Sequence, residues 1–295
     1  MAKEKFVEHS FNKASLALIE TCNSILDEYR RQGYRLSLRQ LYYQLVARDY
    51  IENSVKSYKR TGDLVSNARK AGLVDWGMIE DRGREAVVNS HWNSPKEILQ
   101  SAAYSFRLDR WENQDNYVEV FVEKDALSGI LLPVCRTLDV RFTANKGYSS
   151  DSAMYEAAKR LYREAQQGRD IHIIYLGDHD PSGIDMTRDV RERFDLYTHS
   201  NVEFEVHRLA LNYDQVEMWN PPENPAKESD SRYQAYMLEF GESSWELDAV
   251  APDTLGNLVR EKIEELIDAE KWDVVQECEE RFKAELEGFA DRYQS

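Results

Sequence analysis

Two aspartates, Asp178 and Asp180, stand one residue apart in GDHDPSGID, directly after the apolar run IHIIYL from Ile171 to Leu176. In an extended chain both side chains point to one side. Neighbouring carboxylates repel unless a cation lies between them, and a hard divalent ion such as Mg2+ is the usual partner. The residues that follow have local explanations: Asp180 can cap a helix, Pro181 suits its first position, and Gly183 permits close approach of another group. A plainer reading leaves Asp180 as an N-cap and Asp178 as a solvated loop acid. YVEVFVEKDAL repeats the pattern, an apolar strand ending in Glu123. Neighbouring parallel strand ends lie side by side in a doubly wound sheet, so Glu123 can meet Asp178 and Asp180 although more than fifty residues separate them. Together they make a three-carboxylate cation site.

Two further stretches suit phosphate chemistry. In TANKGYSSD, Lys146 and Gly147 precede a helix capped by Ser149 or Ser150, which is a reasonable phosphate seat. In SLRQLYYQL, Leu38, Leu41, Tyr42 and Leu45 follow helical spacing and form one buried stripe, so Tyr42 reads as core. Tyr43 is turned about a quarter-circle off that stripe and lies one helical turn after Arg39, on the same side. A guanidinium there can hold nonbridging phosphate oxygens and favour the phenolate, whose ordinary pKa near 10 is otherwise too high for neutral conditions. A surface tyrosine beside a surface arginine is the plain alternative. Glu246 and Asp248 read equally well as neighbours of the cation or as solvated loop acids.

The elements that must position these groups follow from periodicity. Residues 14 to 30 read as a helix stopped by Gly33, Ser37 caps a second, and DLVSNARKAGLV is a third, ending at Gly72. Short extended pieces such as VDWGMIED come next, with Arg69, Lys70, Arg82 and Arg84 nearby, and the whole reads as a winged helix-turn-helix. One connecting helix lies near SPKEILQ. Strand and helix then alternate from YVEVFVEK to NVEFEVHRLA, the pattern of a parallel α/β sheet. After Asn212 a loop rich in Pro and Asn leads into helices, and apolar spacing from Trp272 to Phe289 reads as a packing or dimer face. The expected fold is α/β plus α: a winged-helix-like DNA-binding module at 1–112, a Rossmann-like parallel sheet at 113–212 and a helical extension at 213–295.

The net charge of −16 argues at first against a polyanionic partner. Its distribution argues otherwise, since Arg30 to Arg84 contains twelve Lys or Arg against six acids while the carboxyl end is acidic. Cys22, Cys135 and Cys278 lack metal-ligand spacing and read as reduced thiols of a cytoplasmic protein. No run reaches the roughly twenty apolar residues of a membrane helix, and the amino terminus lacks the apolar core of a signal peptide.

Glu closing one strand and Asp-x-Asp closing a later one resemble the Toprim domain of topoisomerases, bacterial primases and several nucleases. VEKDAL, the NKG loop and DHDPSG are more narrowly similar to the topoisomerase VI A subunit and the meiotic double-strand-break transesterase related to it. In those proteins the loop usually reads Gly-Lys-Gly followed by Pro-Asp, where this chain has Asn145 first and Ser149-Ser150 after. The family carries Arg-x-x-Tyr-Tyr on an amino-terminal helix, matched here by Arg39, Tyr42 and Tyr43. The resemblance implies transesterification of double-stranded DNA: Tyr43 attacks a phosphodiester, joins the 5′ phosphate and leaves a 3′ hydroxyl. It implies Mg2+ at Glu123, Asp178 and Asp180, DNA contacts from Lys124, Lys146, Arg69 and Lys70, and a homodimer in which one subunit's tyrosine meets its partner's metal site. It also allows an ATPase partner of the B-subunit type, whose GHKL or P-loop motifs do not occur in this chain. Three other readings stand beside it: a Toprim nuclease using water, a DNA-binding factor without catalysis, and a haloacid-dehalogenase-like phosphatase. The mid-chain position of the acid pair and Ser182 count against the last.

Overall fold

The structure is a computed structural model and describes residues 3–79, 89–145 and 150–293. Three helices open the chain, α1 (Lys13–Arg31), α2 (Leu38–Ala47) and α3 (Val55–Lys70). Each starts on a side-chain cap. Asn12 accepts from the Ser15 amide, Ser37 and Gln40 form a reciprocal capping box, and Ser54 accepts from the Ser57 amide. Gly33 sits at φ 87° just past α1, where a side chain would strain the backbone. The inward faces of the three helices bury Ile19, Ile25, Leu41, Leu45 and Val65 in one core.

Two details of this unit depart from the sequence expectation. Helix α3 begins eight residues before Asp63, because the Ser54 cap starts a turn too polar to carry apolar periodicity. VDWGMIED does not run as a strand; Trp76–Met78 is a 3-10 turn capped by Asp75, and Ile79 forms one isolated parallel bridge with Leu36. Residues 80–88 lie outside the described residues, and Arg82 and Arg84 with them.

The centre is α/β. After α4 (Pro95–Ser105) come β1 (Asn116–Val122), α5 (Ser128–Thr137), β2 (Arg141–Ala144), α6 (Asp151–Ala165), β3 (Asp170–Leu176), α7 (Pro181–Tyr197) and β4 (Phe204–Ala210). The four strands form a parallel sheet in the order β2-β1-β3-β4. The chain leaves β1 toward β2 on one side and returns past it to β3 on the other. Right-handed crossovers then place α5 on one face and α6 and α7 on the opposite face. The cores agree with that handedness. Val118, Val120, Val122, Ile174 and Leu176 pack with α5, whereas Tyr117, Phe121, Ile173 and Tyr175 pack with Met154, Leu161 and Phe194 of α6 and α7. Apolar residues on both faces are what a strand covered on two sides requires.

The remainder is α8 (Tyr213–Trp219), β5 (Glu223–Pro225), α9 (Tyr233–Phe240), β6 (Ser243–Trp245), α10 (Pro252–Glu264) and α11 (Ala269–Arg292). β5 and β6 pair antiparallel. Residues 213–295 supply part of the sheet's own core, since Leu255, Val259 and Ile263 of α10 join the α5 face. α11 packs on α4, with Phe106 edge-on to Phe282 and Trp111 edge-on to Trp272. Among the described residues no helix is long and apolar enough to cross a membrane.

Candidate active site

The strand order reverses between β1 and β3, and a crevice at the carboxyl edge of the sheet is expected there. Glu123 is the first residue past β1, and its amide still donates to the Leu176 carbonyl of β3 at 2.9 Å. That bond carries its side chain to the sheet edge, where Oε2 accepts from the Asp178 amide at 2.9 Å. Gly177 and Gly183 make room for it. A Cβ on Gly177 would lie 2.8 Å from Glu123 Oε2, and one on Gly183 would lie 2.3 Å from the Asp178 carbonyl oxygen. Arg208 of β4 ties the same turn together, donating to the carbonyls of Asp178 at 2.6 Å, Gly183 at 2.9 Å and Leu211 at 3.2 Å.

Asp178 is buried and doubly engaged. Its Oδ1 accepts from the Leu247 amide at 2.8 Å, and its Oδ2 lies 2.6 Å from Lys124 Nζ. The same ammonium is 3.0 Å from Glu246 Oε2 and 3.3 Å from Asp248 Oδ2. Glu246 Oε2 also accepts from Arg39 Nη1 of α2 at 2.6 Å. A continuous path of charges therefore runs from Asp178 through Lys124 and Glu246 to Arg39. It joins the first helical unit to the sheet edge through the segment after β6.

His179 fixes that segment. Its backbone exchanges both hydrogen bonds with Trp245 at 2.9 Å, and its ring lies among Tyr236, Phe240 and Trp245. Burial, aided by nearby Arg208, lowers its pKa to about 4, so the ring is a neutral packing element at neutral pH.

Tyr43 and Tyr42 are both buried, at 5% and 3% exposure. The expectation that Tyr43 stands clear of the core is corrected: α2 has a second apolar contact, against Ala249 of the 3-10 turn Leu247–Ala249, which covers the side away from the first stripe. The Tyr43 hydroxyl still reaches a polar partner, accepting from Asn224 Nδ2 of β5 at 3.2 Å. It lines a cleft of about 490 Å3 together with Arg39, Asn53, Tyr58, Asn224 and Glu246. Tyr42 donates to Asn53 Oδ1 at 2.9 Å, as suits a core residue with a polar tip.

Electrostatically the site is short of positive charge. Burial, followed by the charge of Asp178, pushes the Glu123 pKa up. Burial raises Asp178 too, outweighing Lys124, and raises Asp248. Glu246 is lowered: burial opposes ionisation, but Lys124 and Arg39 overcome it. Lys124 is raised, because Asp178, Asp248 and Glu246 outweigh the cost of burying its ammonium. Burial and then the Glu246 charge hold the Tyr43 phenol above its ordinary value, despite Asn224, Arg39 and Lys124.

The chemistry of the donor set fits a hard cation. All the ligands it offers are carboxylate oxygens; both oxygens of Asp248 are buried, Oδ1 has no hydrogen-bond partner, and Oδ2 has the Lys124 ammonium at 3.3 Å. Among the described residues, Lys124 and Arg39 are the cations that pair with Glu246, Lys124 pairs with Asp178 and Asp248, and Arg208 acts on Glu123 and Asp178 from behind the turn. The three acids expected from sequence are not, however, gathered to the spacing of one ion. Among the described residues, no three of Glu123, Asp178, Asp180, Glu246 and Asp248 bring one oxygen each within 4.8 Å of one another. Two causes are visible. An ammonium stands against Asp178, and Oδ1 of Asp180 serves as the N-cap of α7, accepting from the Gly183 amide at 2.6 Å and Ser182 Oγ at 2.8 Å.

The residues expected to meet DNA are dispersed. Lys124 is inside the acid cluster and is not a free surface cation. Arg69 stacks on Trp76, its guanidinium carbon 4.5 Å from the ring centroid, and donates to the Trp76 carbonyl at 2.8 Å, so it serves the interior of the helical unit. Lys70 is exposed at the end of α3. Lys146, with Gly147 and Ser149, lies outside the described residues. Reading the sequence left Glu246 and Asp248 undecided and passed over Arg208 and Asn224. The acid pair of WELD, spaced like that of DHD, was the available signal for the first two. The chain was compared with protein-family models, curated proteins and solved structures, and none matches.

Proposed function

We propose that this chain breaks DNA strands by transesterification at Tyr43 in a Mg2+-dependent reaction, in the manner of the topoisomerase VI A subunit. The observation that carries the reading is the run of ion pairs Arg39–Glu246–Lys124–Asp178, which brings the tyrosine helix to the acids at the switch point of a parallel sheet. In this reading the amino-terminal helices are a winged-helix-like module and the sheet is a Toprim-like domain. Glu123, Asp178, Glu246 and Asp248 would hold the Mg2+, whose chemistry when bound is to neutralise charge developing on the phosphate. Asp180 fixes the first turn of α7 beside them.

The chain's own groups do the rest. Arg39 is held charged by Glu246 and Asp248 against the cost of burial, and it presents a guanidinium to phosphate oxygens beside the phenol. The Tyr43 oxygen attacks phosphorus as its proton passes to water in the cleft, the phosphotyrosine bond forms, and the bond to the departing 3′ oxygen breaks, that oxygen taking a proton from solvent. Its bond energy is retained in the ester, so rejoining needs no ATP for chemistry. The active form is a homodimer on double-stranded DNA. Exchange of tyrosines between subunits requires α2 to give up the Arg39–Glu246 pair and the Asn224–Tyr43 hydrogen bond.

A hydrolytic reading has one observation in its favour: burial holds the Tyr43 phenol in its neutral form. One assay separates the two. Duplex DNA carrying a label is incubated with the protein and Mg2+, denatured in detergent, and examined for label on protein, with Tyr43→Phe and Asp178→Ala in parallel. Transesterification predicts covalent label lost in both variants. Breaks without an adduct, unaffected by Tyr43→Phe, would overturn it in favour of water as nucleophile. Retarded DNA without breaks would leave only binding.

A further inference from the structure

A second group of side chains with metal-binding chemistry lies at the opposite edge of the sheet. His172 is six residues before Asp178 on β3, about 20 Å along an extended chain. β3 and β4 pair in a register that sets His172 beside Glu205 and Ile174 beside His207. Alternation along the strands turns His172, Glu205 and His207 to one face. The distances among their ligand atoms are 3.1 Å from His172 Nδ1 to His207 Nε2, 3.4 Å from His207 Nε2 to Glu205 Oε2 and 3.7 Å from His172 Nδ1 to Glu205 Oε2. Ligands about 2.0 to 2.2 Å from a tetrahedral ion are about 3.3 to 3.6 Å apart, so the three atoms outline one face of such a tetrahedron.

The neighbours of His172 prepare it as a ligand. Asn116 of β1 donates through Nδ2 to the Leu266 carbonyl at 2.8 Å, which turns its Oδ1 toward His172 Nε2 at 3.1 Å. An amide oxygen only accepts, so Nε2 carries the hydrogen and the Nδ1 lone pair faces His207 and Glu205. Burial, the largest influence on both, also favours the neutral imidazoles, with Lys262 adding to it and Glu205 opposing. Lys262, the nearby cation that disfavours a metal ion, pairs with Glu265 at 3.0 Å. The Glu205 side chain is 69% exposed, which leaves the fourth side of the tetrahedron open to water.

We propose that His172, Glu205 and His207 bind a transition-metal dication of the zinc class, with water as the fourth ligand, clamping β3 to β4. Two imidazoles and a carboxylate suit Zn2+ over Mg2+, and this sets the site apart from the all-oxygen cluster at the other edge. No net proton is lost on binding: the hydrogen that His207 Nε2 donates to His172 Nδ1 moves to His207 Nδ1, and the freed lone pair takes the metal. The inference does not rest on the proposed DNA chemistry.

The test is titration of the full chain, stripped with chelator, by Co2+ and Zn2+. The visible absorption of tetrahedral Co2+ and calorimetry are the readouts. One tetrahedral Co2+ per chain is expected in the visible spectrum, any ion taken by the all-oxygen cluster lacking that intense absorption. Glu205→Ala should weaken it about tenfold or more, and His207→Ala should abolish the Co2+ spectrum. The exposure of Glu205 makes the first variant the safeguard against misfolding, checked by circular dichroism. Asp178→Ala should leave the spectrum unchanged. Absence of a tetrahedral Co2+ signal in the wild type, or a signal untouched by Glu205→Ala and His207→Ala, would overturn the assignment.

Discussion

Replacing Gly183 by alanine tests how closely α7 must approach the end of β3. The added Cβ would sit 2.3 Å from the Asp178 carbonyl oxygen, 3.0 Å from its carbon and 3.2 Å from Glu123 Oε2, whereas ordinary contact begins near 3.4 Å. About 1 Å of separation is therefore required, and the obstacle is main chain, which cannot rotate away. Arg208 holds that carbonyl and the one of Gly183 from the other side, so the first turn of α7 must move instead. Overpacking costs about 1–3 kcal/mol, and weakening of the Asp180 cap adds about 1 kcal/mol. At about 2–4 °C per kcal/mol for a chain somewhat shorter than this one, the melting temperature falls by about 4–16 °C. Gly288→Ala is the control of opposite sign. It lies within α11 with nothing inside 4 Å of the new atom, so better helix propensity gives up to about 1 kcal/mol of stabilisation. Thermal unfolding followed by circular dichroism reads both. A Gly183→Ala protein melting within about 1 °C of the wild type would refute the close approach and the placement of Glu123 that depends on it.

Lys124→Met leaves Asp178, Glu246 and Asp248 without the ammonium they share; a loss of about 3–5 kcal/mol is expected without divalent ions, and Mg2+ should restore more stability to the variant than it adds to the wild type in a melting series. Glu123 carries a pH signature in chelator: the folded protein keeps its proton up to about 7 while the unfolded chain releases it near 4.5, so its contribution to stability is full below about 4.5 and lost as pH rises through about 7. His179, lowered to about 4, works in the opposite direction over part of that window. The difference between wild type and Glu123→Gln in urea midpoints at pH 5 and pH 7 isolates the first effect, and a difference that does not change sign or size between the two would count against it.

Much of the sheet was legible because buried parallel strands are short apolar runs, and Tyr117 to Val122 and Ile171 to Leu176 are such runs. The helix starts at Ser37 and Asp180 were legible for the same local reason, a short polar side chain before an apolar period. Glu123 and Asp178 could be placed at one edge because strand ends in such a sheet are neighbours. Lys124 could not be read, since the groups that claim it, Glu246 and Asp248, lie more than a hundred residues later. The burial of Tyr43 was hidden likewise, because its cover is Ala249. Periodicity within α2 marks a single face as apolar and carries no information about what the segment after β6 lays against another. The place of α10 in the sheet core was missed because its apolar spacing states only that one face is covered, not by what.

The ammonium of Lys124 gives the resting protein a built-in counterion on a flexible tether. Carboxylates that would otherwise repel one another share that one ammonium. In the proposed enzyme a doubly charged ion then arrives by exchange, and the tethered charge must find another anion as it swings out. A backbone phosphate of nucleic acid is the anion at hand. Substrate and ion should therefore promote each other's binding, the polymer drawing the lysine away and the dication occupying the ground it leaves, so that a molecule without DNA stays chemically quiet even when Mg2+ is plentiful.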